Sequence, residues 1–127
     1  MNTSLQQFQN QAYLNLETFR KDGAGVKTPV WFVQDGDLLY VRTGGESWKV
    51  KRIRKNPQVK VVPCKAQGEV LGEWGLAQAR IITDPARVKE IDHLLKRKYG
   101  FQKAVFDLFG KARRFESATV EIQLVNE

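Results

Sequence analysis

KTPVWFVQDGDLLYVRT, residues 27–43, reads as a β-hairpin, and the rest of the chain is arranged around it. Two runs rich in β-branched and aromatic residues flank the turn Asp35-Gly36-Asp37, a strong hairpin signal. Trp31 and Val33 share one face of the first strand, with Val30 and Phe32 on the other. In the partner strand, Leu38 and Tyr40 oppose Leu39 and Val41. Strands that are apolar on both faces are covered on both faces. A domain this small has one core, so the second cover is expected to be another subunit, making the protein a homodimer.

The flanks extend this pattern. Before the hairpin, a first helix is expected from a cap at Thr3 or Ser4 to about Tyr13, with Leu5, Phe8 and Ala12 on one face. LNLETFR (14–20) follows as a strand closed by KDGAG. After the hairpin, Gly44 and Gly45 turn the chain, Ser47 caps a helix, and Asn56-Pro57 ends it. QVKVVPC (58–64) and GEWGLAQARIIT (72–83) are strands. In the latter, Gly75, Ala77 and Ala79 share a face and leave room for a backbone or a flat ligand. Asp84-Pro85 opens a helix to about Tyr99, with an inner stripe of Val88, Ile91, Leu95 and Tyr99. A helical piece over 102–110, with Val105, Phe106 and Phe109 apolar, precedes a last strand at 118–125. Six mostly antiparallel strands with helices between them suggest a small barrel of the α+β class, one domain spanning 1–127.

The composition narrows the functions. An apolar fraction of 42% and a charged fraction of 28% are those of a soluble globular protein. No apolar run approaches the roughly 20 residues of a membrane span, and the N-terminus lacks a signal-peptide pattern, so a cytoplasmic protein is expected. One cysteine, Cys64, excludes an intrachain disulfide, and with the single His93 leaves no set for a metal site. No catalytic set is evident: His93 lies off the inner stripe of its helix without a nucleophile, and Cys64 at a strand end reads as a small buried side chain.

The net charge of +7 is concentrated near the hairpin's end. Between Arg42 and Lys60 lie seven Lys/Arg (42, 49, 51, 52, 54, 55, 60) against one acid, Glu46. Such focusing implies an anionic partner. Lys49 and Lys51 fall in or beside the first turn of the Ser47-capped helix, where the dipole is already positive and a cation costs about 0.3–1 kcal/mol. An anion on that helix end resolves the conflict. Ser47 supplies a hydroxyl and an N–H, Lys49 a point charge, and Arg42 and Thr43 further donors. A solvated basic face is the bland reading of the same residues. Nucleic acid ranks below a small-molecule phosphate, because the helix is short and no aromatics interleave with the cations.

The order LNLETFR … VKTPVWFV … DGDLLYVRTGGESWKVKRIRKNPQVKVVPC … GEWGLAQARI resembles the pyridoxamine phosphate oxidase-like flavin split-barrel family. It is closest to the short branch that uses a deazaflavin, coenzyme F-420. TPVWF, the hairpin ending in RTG, S-x-K and NPxV carry the resemblance from about Gln7 to Thr83. It implies a six-stranded, FMN-binding-like split barrel that dimerises, with two cofactor sites at the subunit interface. Lys27, Thr28, Pro29 and Val30 would line the ring of FMN or F-420, and Arg42, Thr43, Ser47 and Lys49 would hold the phosphate. Trp48 would pack on the cofactor or on the barrel, and Trp74 would reach across the dimer or sit in the core. The abundant basic residues could also hold the acidic tail of the deazaflavin.

The implied function is hydride transfer between the bound cofactor and a small acceptor, with no protein residue as general acid or base. Lys27 is the candidate basic group beside the ring, an exposed strand lysine being the alternative reading. A non-catalytic cofactor carrier is the alternative. Pyridoxamine phosphate oxidases proper end in an arginine-containing substrate segment, and VEIQLVNE has no counterpart, so pyridoxamine phosphate is not the expected substrate.

Overall fold

In the computed structural model, which describes residues 5–44, 47–100 and 117–125, the chain forms a closed six-stranded antiparallel barrel. The strands are β1 (Tyr13–Phe19), β2 (Gly25–Asp35), β3 (Leu38–Gly44), β4 (Gln58–Cys64), β5 (Gly75–Ile82) and β6 (Ser117–Leu124). They follow one another around the barrel as β1-β2-β3-β6-β5-β4, and β4 pairs back onto β1. Helices α1 (Trp48–Lys55) and α2 (Pro85–Tyr99) complete the α+β split barrel that the sequence suggests. The hairpin is as read: Asp35 pairs with Leu38 around Gly36, whose φ of 64° suits glycine.

The period-2 pattern divides the side chains. Leu14, Leu16, Phe32, Leu39, Val41, Val59, Val61, Val120 and Ile122 fill the barrel. Val50 and Ile53 of α1 are buried, and the helix packs across β1 and β5. Ala77 and Ala79 belong to this interior, so the room left by small residues on β5 is taken up by the core and α1.

The outer face of the hairpin is covered within the chain. Val33 and Tyr40, with Trp31 and Leu38, pack against Ile91, Leu95 and Tyr99 of α2. The expectation that another subunit supplies this cover is corrected: an amphipathic helix 50 residues downstream builds a second small core. Tyr99 stacks on Trp31 at 4.5 Å and 9°. Its hydroxyl accepts from the Phe32 N–H at 3.0 Å and lies 2.7 Å from the Ala12 and Phe32 carbonyls, beyond the point where β1 stops pairing with β2.

The first helix is shorter than expected, a 3-10 turn at Leu5–Phe8. Asn10 takes a left-handed φ of 63°, and β1 pairing captures the chain from Tyr13. β5 starts at Gly75 instead of 72. The helical expectation for 102–110 lies outside the described residues.

Candidate functional site

The barrel has a split, and the ladders show where it is. β2 pairs with β3 only over Phe32–Asp35, while β1 pairs with β2 over Gly25–Trp31. β3 pairs with β6 on its other edge along its whole length, and beyond Val41 that is its one strand partner among the described residues, with Arg42, Thr43 and Gly44 opposite Thr119, Ala118 and Ser117. Among the described residues, the β2 edge from Gly25 to Trp31 therefore has no strand on its β3 side. Lys27, Thr28, Pro29 and Val30 stand on one rim of this split, and Arg42 and Thr43 on the other. Pro29 carries no N–H, and proline within a sheet belongs on such an edge.

The antiparallel order brings the start of β2 and the end of β3 to the same end of the barrel, where α1 sits. Ser47 caps α1 as expected, accepting from the Val50 N–H at 3.3 Å. No acid occupies the first turn. Lys49 is half-buried, and burial, then the nearby Arg52, pulls its amine below the usual lysine range. An ammonium held there without an acid partner among the described residues is what an incoming phosphate would stabilise.

The other candidates are placed as follows. Trp48 is 70% exposed, so it is not a core residue, and Lys51 lies 4.7 Å over its ring. Lys27 is exposed, with its ammonium 5.4 Å from the ring of the half-buried Trp74. Arg42 lies on the rim, but its guanidinium is engaged by Asp92 of α2. Ser47 and Lys49 thus belong to a helix packed on β1 and β5, at the barrel end that the antiparallel order also gives to the start of β2, while Arg42 is shared with α2. His93 is exposed, and Cys64 is a buried free thiol whose pKa burial raises.

Sequence reasoning missed a polar network under α2. Arg87 donates to Asp35 and to the Tyr40 hydroxyl, each at 2.8 Å, and to Glu90 at 2.9 Å. Tyr40 donates to Glu121 at 2.8 Å, and Arg80 donates to the other Glu121 oxygen at 2.7 Å. These hydrogen bonds hold Arg87 above its ordinary range. The available signal was strand alternation, which sets Arg80 opposite Glu121 and Tyr40 opposite Glu121 on the outward face. A wide hollow of about 510 Å³ adjoins this network, lined by Asp35, Ala86, Arg87, Lys89, Glu90, His93 and Leu94. Its Arg87, Asp35 and Glu90 charges are already paired, and it lies apart from the split, so the split is the better ligand site.

With that geometry in place, the sequence matches the pyridoxamine 5'-phosphate oxidase family model over residues 2–125, and the chain belongs to that family. No curated protein matches it in sequence. Among solved structures it is similar to HutZ, the heme storage protein from Vibrio cholerae, at TM-score 0.73 and 16% identity, covering 96% of this chain and 87% of that one. It is similar to an F-420 reductase at TM-score 0.62 and 17% identity, covering 99% and 96%. A FAD-binding protein from Mesorhizobium loti gives 0.63 and 14%, covering 95% and 84%. At these identities the likeness is one of fold.

Proposed function

We propose that this chain is an oxidoreductase that holds a flavin-type cofactor, FMN or the deazaflavin F-420, in the split between β2 and β3. The observation that carries this reading is the open β2 edge, which shares one end of the barrel with Ser47 and with Lys49, a cation that has no acid partner among the described residues. The family match and the structural likeness to an F-420 reductase and a FAD-binding protein support it. The bound cofactor supplies the hydride chemistry, and the chain supplies orientation and electrostatics. Ser47 and Lys49 hold the phosphate. The backbone groups of 27–30 would border the ring, and Lys27, whose ammonium lies 5.4 Å over the Trp74 ring, would supply positive charge there.

The protein works as a homodimer with this site at the interface. Val70, Leu71, Leu76 and Val125 are 40–49% exposed on or beside β4, β5 and β6, away from the core that α2 covers. A second copy seated there shields them from water.

The test is a pair of fluorescence titrations of cofactor-free protein with FMN and with F-420, followed by mixing the reduced cofactor with small acceptors. Saturable binding of one names the cofactor, and failure of both overturns the reading. Binding without oxidation of the reduced cofactor indicates a carrier instead of an enzyme. Light scattering at micromolar concentration is expected to give the dimer mass; a monomer overturns the interface site.

A further inference from the structure

The β2–β3 ladder ends at Phe32 and Val41, so the next residue of each strand stands at the apex of the split, Trp31 on one rim and Arg42 on the other. Alternation sets both side chains on the outer face, since Phe32 and Val41 point into the barrel while Val33 and Tyr40 point into the second core. No β2–β3 rung reaches these two residues, yet one element grips both from outside. Tyr99 of α2 stacks on Trp31, and Asp92 of α2 engages the Arg42 guanidinium.

The grip on β2 is more than a stack. Past Trp31, β2 also leaves β1, whose pairing with it stops at Tyr13. There the Tyr99 hydroxyl stands in for a strand rung. It accepts from the Phe32 N–H at 3.0 Å, and it has one proton for the Ala12 and Phe32 carbonyls, each 2.7 Å away. Lys98 donates to the Phe32 carbonyl at 2.8 Å, which leaves the Tyr99 proton to Ala12. Two neighbouring side chains at the end of α2 thereby satisfy all three backbone groups.

Asp92 and Tyr99 are seven residues apart, two turns of helix, so they lie on one face and about 10 Å apart along the axis. We propose that α2 braces the split: Asp92 and Tyr99 hold Arg42 and Trp31 at a fixed separation, and as positioning residues they set the width of the slot between the rims. The consequence for a ligand rests on the cofactor reading, in which that slot takes a flat ring bordered by 27–30, directly before Trp31. A split held at one width takes up a rigid ring without first ordering its strands.

Hydrogen exchange of the cofactor-free full chain, read on the backbone amides of both rims, tests the brace. Asp92→Asn weakens the grip on the β3 rim alone. It is expected to speed exchange about fivefold at 42–44 and, across the split, at 30–32 as well. Tyr99→Phe keeps the stack and loses the hydroxyl. It is expected to speed exchange about tenfold at Phe32 and to loosen 42–44 with it. Ile91→Val trims the same buried helix face without removing either grip, and should leave both rims within about twofold of the parent.

Faster exchange confined to the rim whose grip was removed overturns the proposal, since it reports two local contacts and no brace. So does equal loosening by Ile91→Val. Titration of the Tyr99→Phe variant with FMN and with F-420 reads the slot itself, and the cofactor that the parent binds is expected to bind about fivefold more weakly. An unchanged affinity would mean that the brace does not set the slot, which also overturns the proposal. If neither cofactor binds the parent but the rims loosen together, the flavin reading falls and the brace stands. If a cofactor binds and the rims loosen separately, the reverse holds.

Discussion

The two helices of this barrel treat charge in opposite ways. Under α2, Arg87 is joined to Asp35, Glu90 and Tyr40, Arg42 to Asp92, and Arg80 to Glu121. At the α1 end, Lys49 and Arg52 stand three residues apart on one side of the helix, and neither has an acid partner among the described residues. The fold uses the first set to close its own outer face. Among the described residues, no acid of the chain neutralises the second set. Charges paired internally report on stability, whereas charges held unpaired against repulsion report on a ligand.

The contrast is broken most severely from the α2 side. Tyr99→Ala removes both the stack on Trp31 and the hydroxyl that satisfies Phe32, and is expected to cost about 3–5 kcal/mol in urea unfolding. Tyr99→Phe keeps the ring and isolates the hydroxyl, at about 1–3 kcal/mol, because the buried Phe32 N–H loses its partner. A cost under about 0.5 kcal/mol for Tyr99→Phe would show that water replaces the hydroxyl and that α2 does not need this anchor.

Mutations at the α1 end should do the converse. Lys49→Ala is expected to weaken cofactor binding by about 1.5–3 kcal/mol, as a charge-assisted contact is lost, while stability stays within about 0.5 kcal/mol. A variant with unchanged cofactor affinity removes Lys49 from the site. Ser47→Ala mixes the two effects. It should cost about 1 kcal/mol of stability through the lost helix cap, and weaken the cofactor less than Lys49→Ala. Thermal melts read alongside cofactor titrations separate the two.

The division between legible and hidden features follows the range of the interactions. The hairpin, the Ser47 cap and the cations of α1 are local patterns, set by alternation, a Gly turn and a dipole within a few residues. Arg42 was legible as a candidate, but its partner Asp92 lies 50 positions away on a helix whose docking no periodicity specifies. The second core was misassigned for the same reason: two apolar faces on the hairpin show that something covers each, not what it is. The split itself is a register feature, the parting of β2 from β3 on the N-terminal side of Phe32, and side-chain pattern does not encode where pairing stops. At the N-terminus local reading overreached, since Leu5, Phe8 and Ala12 carry helical spacing but strand pairing captures the chain from Tyr13.

Acid provides the finest separation between the two regions. Glu121 is pushed up by burial, but hydrogen bonds from Arg80 and Tyr40 together outweigh this and hold its carboxyl below the usual range. A folded pKa below the unfolded value means that the carboxylate's contribution is fully present above about pH 4.3 and is lost as pH falls through the folded value. The effect should stay under about 1 kcal/mol, because Arg80 is largely exposed and the pair is screened. Urea unfolding at pH 6, 4.5 and 3 is expected to show a smaller acid loss for Glu121→Gln than for the parent. Identical losses would mean that the network under α2 is held by packing and not by its charges. Lys49 and Arg52 stay charged across this range, so acid leaves them as they were, while added phosphate should raise stability at every pH tested.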